Sequence, residues 1–318
     1  MDRNLALELV RVTEAAALSC ARWMGKGNKH SADEAATEAM RHTLQSISFM
    51  GRVVIGEGEM DEAPMLYIGE IVGNGSSGMK VDIAVDPLEG TNLCAMGMPN
   101  SIATIAAANE GCFLHAPDMY MDKICVGAAA KGAIDIMKPP AVNVRNVADA
   151  LGLYPDDMTV VILDRDRHRA LIDEVRSTGA RIKLIPDGDV APAVAAGLPD
   201  APVDMLIGVG GGPEGVLAAA ALKCLGGDMQ ARLYFTNEEE KRRCREMGIG
   251  DLDRVFYMED LAKGDVLFAA TGVTDGDLLE GVKFRKGGAR TNSIVMRSFS
   301  RTIRYIQADH YFDHKPVY

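Results

Sequence analysis

Between residues 159 and 225 the chain makes the same move three times: a short apolar run rich in β-branched residues, a turn, then a stretch at helical spacing. Residues 159–163 lead to a helix over about 168–178, residues 181–185 to one near 190–196, and residues 203–209 to one from about 214 to 225. Strand and helix alternating at these lengths predict βαβ units on a parallel sheet. In such sheets ligands gather at the carboxyl ends of the strands. Those ends carry Asp164-Arg165-Asp166-Arg167-His168, Pro186-Asp187-Gly188-Asp189 and Gly210-Gly211-Gly212-Pro213-Glu214. Arginine, aspartate and glycine in those places suit a sugar phosphate.

The first half has another rhythm. Leu5, Leu9, Val12 and Ala16 recur at helical spacing, which predicts an amphipathic helix over the first two dozen residues. A flexible basic segment, residues 25–30, follows. Ser31-Ala32-Asp33-Glu34 has the pattern of a capping box with Ser31 as N-cap, opening a helix to about Met50. Asp33 then lies in the first turn, where an acid commonly only complements the helix dipole. A strand at residues 52–56 feeds Glu57-Gly58-Glu59-Met60-Asp61-Glu62, four carboxylates within six residues. That run reads either as a solvated acidic loop or as one of two strand ends converging on shared cations.

The second such end is Val81-Asp82-Ile83-Ala84-Val85-Asp86-Pro87-Leu88-Glu89-Gly90-Thr91, a strand that is expected to break at Pro87. A turn accounts for Asp-Pro and Gly but not for Glu89 and Thr91. Two carboxylates for hard cations, a glycine that lets backbone approach a phosphate and a hydroxyl that can orient a water fit metal-assisted phosphate chemistry. Asp82 has no place in that pattern. Residues 102–108, 124–130 and 133–137 read as hairpin-like strands, giving an α+β first half. Tyr120 falls between two of them, where packing is its expected role. The rhythm changes at Pro139-Pro140, so the chain is divided into residues 1–150 and 151–318. Beyond Gly226 come a charged helix near 237–247 and strands near 266–270, 293–297 and 302–307.

Composition narrows the partners. The 318 residues carry a net charge of −11 and only 5% aromatic side chains, which argues against a nucleic-acid partner: there is no basic surplus to release counterions and no stacking platform. An acidic protein still binds phosphorylated metabolites when cations bridge the two. The six cysteines are scattered without C-x-x-C, so neither a zinc site nor a disulfide framework is indicated, and reduced thiols in the cytoplasm are the simplest account. No run of apolar residues is long enough to span a membrane, and no signal peptide is evident.

Gly210-Gly211-Gly212-Pro213-Glu214-Gly215 matches G-x-G-x-x-G between a strand and a helix, which raises a dinucleotide-binding protein as a rival. The loop sits on the third strand of its half rather than the first. Pro213 blocks the approach of a pyrophosphate, and Glu214 sets a negative charge where it would lie. Proline and glutamate at a helix start are ordinary N1 and N2 residues and leave Glu214 aimed from a fixed end, as suits a metal ligand.

Asp86-Pro87-Leu88-Glu89-Gly90-Thr91 resembles the D-P-x-[DE]-G-[TS] signature of the lithium-sensitive, metal-dependent phosphatases. Together with Gly25-Lys26-Gly27-Asn28-Lys29 and Asp33, residues 54–61, residues 185–189 and residues 211–215, it is similar to the class II (GlpX-type) fructose-1,6-bisphosphatases over nearly the whole chain. The resemblance implies a layered αβαβα fold, Mn²⁺ or Mg²⁺ dependence, a homo-oligomer (dimer or tetramer) and a place in gluconeogenesis. It implies hydrolysis of the 1-phosphate of fructose 1,6-bisphosphate; sedoheptulose 1,7-bisphosphate and, further off, inositol phosphates are the alternative substrates. By matching position it implies metal ligands Asp33, Glu57, Asp86, Glu89 and Glu214. Substrate contacts would be Glu89, Gly90, Thr91, Tyr120, Arg165, Asp166, Arg167, Asp187, Gly188, Asp189 and Gly211. Lys29, Asp61 and Thr91 would be catalytic. The chain departs from the pattern at Asn28, where related signatures often have an acid, and Asp166 is an awkward neighbour for a phosphate.

Overall fold

Leu5, Leu9, Val12 and Ala16 lie on one buried face of helix α1 (Leu5–Cys20), which packs along helix α2 (Lys29–Leu44). The protein, seen in a computed structural model, is described over residues 4–58, 64–115, 119–199 and 201–314. Helix α2 begins earlier than the capping-box pattern suggests. Asn28 is its N-cap: the side-chain oxygen accepts from Ser31 N at 3.1 Å while the amide donates to Ser31 Oγ at 2.9 Å. Ser31 is therefore not the cap, and the first turn holds no acid; Asp33 stands in the second, beyond the reach of the helix-end charge. The helix also stops short, since Met50 already opens a strand.

The first sheet starts with β1 (Met50–Ile55), β2 (Ile71–Val72), β3 (Lys80–Glu89) and β4 (Ile102–Asn109), with helix α3 (Thr91–Met96) between the last two. Strand β3 runs parallel to β1 and antiparallel to β4. Strand β5 (Tyr120–Val126) does not form a hairpin with β4; it pairs with strands of a second sheet. Both edges of β4 are already taken elsewhere, so no ladder position remains for it. Residues 133–137, expected as a strand, form no regular element and end in a turn.

The second sheet holds the three βαβ strands as anticipated: β6 (Thr159–Leu163), β7 (Arg181–Ile185) and β8 (Met205–Gly211). Helix α4 (Pro140–Leu151) precedes them, α5 (Arg169–Arg176) and α6 (Val190–Gly197) connect them, and α7 (Gly212–Leu225) comes after them. Strand β6 is parallel to both β7 and β8. The sheet as a whole is mixed. Strand β5 lies antiparallel between β8 and β9 (Asp228–Tyr234), and after helix α8 (Glu238–Glu246) strand β10 (Phe256–Tyr257) pairs with β9 and leads into helix α9 (Met258–Leu261). On one face Ile124, Val126, Val160, Ile162 and Met205 share a core with Val144 and Val147 of α4 and Ile172 and Val175 of α5. Helices α6 and α7 pack on the sheet as well, with Gly215 of α7 against the Met121 sulfur.

The chain then returns to the first sheet. Strands β11 (Val266–Gly272), β12 (Lys283–Arg285), β13 (Gly288–Arg297) and β14 (Thr302–Tyr311) complete it in the order β12-β13-β11-β4-β3-β1-β2, with β14 also paired to β13. Two compact units result: residues 1–113 with 264–318, and residues 114–263. The division anticipated at residue 150 falls inside α4, whose Val144, Val147 and Ala148 are buried with Val160 and Ile162 in one core, so that the helix belongs with the strands β6–β8. Each unit layers helices on a sheet, the α/β class expected. None of the helices among the described residues is long and apolar enough to cross a membrane, and all six cysteines are unbridged, five of them buried.

Leu267 of β11 is fully buried in the core beneath α1. Leu267→Ala leaves a cavity there and is expected to destabilise the fold by about 2–5 kcal/mol. Denaturant unfolding measures it, and a midpoint unchanged from the parent would contradict β11 as a central strand.

Candidate active site

In the first unit, the ladder between β3 and β4 pairs Asp86 with Thr104 and then Glu89 with Ile102, so one extra residue is accommodated between them. This is a β-bulge, and Pro87, which has no N–H for the ladder, lies inside it. The strand therefore does not end at Pro87 but bends through it to Glu89. Asp86 Oδ1 accepts from Leu88 N at 3.1 Å, taking up a donor that the bulge releases. Gly90 comes next with φ +76°, in the left-handed region, and a Cβ there would also press on the Leu93 side chain at 2.8 Å. That turn starts α3 at Thr91, whose hydroxyl donates to Leu88 O at 3.0 Å. The carboxylates of Asp86 and Glu89 and the hydroxyl of Thr91 thus come from one tightly bonded corner, with Glu89 buried and Asp86 and Thr91 half-buried.

Asp82, which the motif left without a role, lies apart from that corner. Its Oδ2 accepts from Cys112 N at 3.0 Å and Phe113 N at 3.3 Å, closing the turn after β4. Asp33 is half-buried on α2; burial holds its carboxyl above the usual range, with His30 and Lys29 pulling the other way. Lys29 is the exposed first residue of that helix. Glu57 is half-buried just beyond β1, its backbone N–H on Leu66 O at 3.0 Å. Asp61 lies outside the described residues. Among the described residues no group of three or more His, Cys, Asp or Glu side chains stands ready to hold a metal ion. The donors at hand are all oxygens, without a histidine or thiolate, which suits a hard divalent cation rather than zinc.

The second unit gathers the loaded strand ends. Tyr120 opens β5 and lies directly opposite Gly211 of β8, so it is a strand residue rather than part of a link. The Arg167 guanidinium stacks over the Tyr120 ring at 4.6 Å and donates to Val209 O at 2.8 Å. Arg165 faces Asp187 at 3.8 Å. Gly188, between the two aspartates, has φ +72° and lets the chain turn from Asp187 into α6. Asp166 is 91% exposed and paired with Arg169 at 2.7 Å.

The glycine run has a local explanation. A Cβ on Gly210 would collide with the Asp189 carboxylate, and one on Gly211 with that of Glu214. The glycines make room for the protein's own carboxylates, which is the opposite of preparing a bed for a pyrophosphate.

Two residues carry no flag in the motifs. Lys123, on β5, is 1% exposed and bonds Asp189 Oδ2 and Gly211 O, both at 2.8 Å. Its signal in the sequence is a lysine that follows Asp122 in a strand whose other residues are apolar or aromatic. His168 is buried, with Nδ1 2.7 Å from Leu163 O and Nε2 accepting from Val209 N at 2.8 Å. Only the neutral imidazole protonated at Nδ1 serves both bonds, and it ties the end of β6 to β8 directly beside Arg165 and Arg167.

Burial pushes the His168 pKa down; the Leu163 bond opposes this, and the Arg167 charge adds to it. The unfolded chain therefore takes the proton more readily. The stabilisation is complete above the ordinary value of about 6.5 and is lost as pH falls through the folded value. The denaturation midpoint of the parent is expected to fall more steeply than that of His168→Gln between about pH 7.5 and about pH 5.5. Parallel slopes would remove His168 from this role.

Residues 3–310 match the family model described as bacterial fructose-1,6-bisphosphatase, glpX-encoded. The fructose-1,6-bisphosphatase 1 class 2 of Escherichia coli (strain K12) is 50% identical over 329 aligned positions, covering 99% of this chain and 97% of that protein. The fructose-1,6-bisphosphatase class 2 of Haemophilus influenzae is 49% identical, covering 98% of each. Among solved structures the extragenic suppressor protein suhB of Bartonella henselae aligns with a TM-score of 0.35 at 15% identity, over 60% of this chain and 71% of that one. With the family model spanning the chain almost from end to end and half of all positions shared with class 2 enzymes, this chain belongs to the glpX-encoded bacterial fructose-1,6-bisphosphatases.

Proposed function

We propose that this protein is a metal-dependent phosphatase that hydrolyses the 1-phosphate of fructose 1,6-bisphosphate to fructose 6-phosphate and phosphate, a gluconeogenic step. The observation that carries this is the 50% identity over 99% of the chain with a class 2 fructose-1,6-bisphosphatase. The local geometry agrees in kind: a bulged strand end bearing two carboxylates and a hydroxyl in one unit, and strand ends bearing arginines and aspartates in the other.

Asp33, Glu57, Asp86, Glu89 and Glu214 are proposed as ligands for Mn²⁺ or Mg²⁺. Such cations supply charge neutralisation of the phosphate and a more acidic water. The chain's own residues do the positioning. The Thr91 hydroxyl, its proton committed to Leu88 O at 3.0 Å, offers lone pairs that accept a hydrogen bond from the attacking water. Asp61 takes the proton, and Lys29 compensates charge on the phosphoryl oxygens. Arg165 and Arg167 hold the distal phosphate, with Arg167 kept flat by the Tyr120 ring beneath it. Asp187 and Asp189 accept from sugar hydroxyls. We also propose a cytoplasmic homo-oligomer, for which sedimentation of the purified protein is the direct test.

Phosphate release is measured from fructose 1,6-bisphosphate, sedoheptulose 1,7-bisphosphate and inositol phosphate, each with Mn²⁺, Mg²⁺ or EDTA. The expected outcome is turnover of fructose 1,6-bisphosphate with either cation and none with EDTA; turnover that survives EDTA would sink the metal-dependent mechanism. Thr91→Ser is expected to keep most of the activity, while Thr91→Ala loses on the order of 100-fold through misplacement of the water. Equal, parent-like rates in both would leave the hydroxyl without a role. Glu57→Gln and Glu214→Gln each test one ligand, and the expected result is a higher Mn²⁺ concentration for half-activation.

A further inference from the structure

The Lys123 ammonium is the point where three pieces of the second unit meet. Strand β5 is paired on both sides, with Lys123 opposite Gly208 of β8 and Ala231 of β9, so its backbone cannot shift along the sheet without breaking two ladders. From that fixed position Nζ donates to Gly211 O, the last carbonyl of β8, and to Asp189 Oδ2 at the start of α6, both at 2.8 Å. Glu214, in the first turn of α7, acts on the same ammonium through its charge. An ammonium has three donors in a compact head, which allows one lysine to reach several acceptors at once.

The ion pair is almost wholly out of water, Lys123 at 1% and Asp189 at 5% exposure. Pairs of this kind are weak devices for stability, because apolar residues of similar volume often serve as well. What such a pair does is hold a carboxylate in one place. Lys123 takes only one oxygen of Asp189. The other, Oδ1, is buried and has no hydrogen-bond partner among the described residues. Gly210 completes the arrangement, since any side chain there would strike the Asp189 carboxylate and the Lys123 Cε.

We propose that Lys123 is a positioning residue of the reaction: it touches no substrate, and by clamping Asp189 Oδ2 and the Gly211 carbonyl it fixes the turn that carries Asp187 and Asp189 relative to the end of α7 that carries Glu214. This rests on the assignment of the Asp187–Asp189 and Gly211–Glu214 strand ends to the sugar bisphosphate and its cations. The clamp explains why a lysine is buried in β5 and why Gly210, near the end of β8, carries no side chain. Lys123 acts on substrate affinity and orientation, not on bond breaking.

The test uses the full chain. Lys123→Met removes the charge at similar length and Lys123→Arg keeps it. Circular dichroism and melting curves identify the folded variants. The readouts are kcat and KM for fructose 1,6-bisphosphate, and calorimetric binding of fructose 6-phosphate, which is not turned over, in the presence of Mn²⁺. The expected result is folded K123M with about 10- to 100-fold lower kcat/KM, most of it in KM, weaker fructose 6-phosphate binding, and partial recovery of both in K123R. Parent-like KM and binding in folded K123M would overturn the inference, as would a loss confined to melting temperature. If K123M is not recovered folded, Lys123→Gln, which keeps a donor for Gly211 O, is held to the same two outcomes. Arg165→Ala separates the layers. If it abolishes binding while K123M does not, Lys123 alone loses its role; if neither variant matters, the strand ends are not the substrate site and both assignments fall.

Discussion

Pro87 has no N–H to give to β4, and much of the first unit's chemistry depends on that missing donor. A strand that must pair on both sides cannot pass a proline without giving up a rung. Strand β3 solves this with one extra residue between Asp86 and Glu89. The Leu88 N–H released by the bulge goes to Asp86 Oδ1, and the Leu88 carbonyl goes to the Thr91 hydroxyl. One local defect thus fixes both the Asp86 carboxylate and the Thr91 hydroxyl. Gly90 finishes the corner, because only a residue that tolerates a left-handed φ can turn from the bulge directly into α3.

Buried charge is handled in a different way in each place it occurs. Asp82 is 1% exposed, and its Oδ2 accepts two backbone N–H groups that close a turn. Glu14, on α1, accepts from the Thr291 hydroxyl at 3.2 Å inside the first unit's core, a bond that joins helix to sheet. Asp189 is held instead by a lysine on one oxygen only. Each carboxylate is thus held by what its own surroundings supply: backbone N–H groups, a hydroxyl or an ammonium. Lys123 shows the same economy from the cationic side. Burial alone would push its pKa down, yet the neighbouring charges of Asp189 and Glu214 outweigh this and lift it above its ordinary value, so the clamp stays charged.

Local pattern is enough for the βαβ strands and their helices, because there each element's neighbour in sequence is also close to it in the sheet. The strand ends bearing Arg165, Arg167, Asp187 and Asp189 emerge from that rhythm alone. The pattern is not enough for β4 and β5, which read as a hairpin and lie in different sheets. Nor is it enough for β11, which comes after the whole second unit in sequence and yet pairs with β4. Alternation of apolar residues says which face of a strand is buried but not which strand it buries against. The division of the chain near residue 150 fails for the same reason, since a compact unit built from residues at both ends of the chain leaves no mark in composition. At α2 the competing signal is Asn28. In the sequence it stands out only as a departure from related signatures, and in the fold it is the cap that moves Asp33 out of the first turn.

The loop after β8 shows how one string of residues can arise from two unrelated pressures. In a dinucleotide site the glycines of G-x-G-x-x-G keep side chains away from a pyrophosphate that the helix end attracts. Here the same spacing keeps side chains away from carboxylates. Gly210 yields space to Asp189 and Gly211 to Glu214, while Gly215 lets α7 settle on the Met121 sulfur. A helix start crowded with acid repels a phosphate unless cations stand between them, so the charge of the loop, not its glycine spacing, decides what it can bind. That is also why the lysine beneath the loop carries meaning. The Lys123 ammonium sits between these acids, bonded to Asp189 and within reach of the Glu214 charge, so the negative charge gathered at the end of β8 is balanced from within the protein.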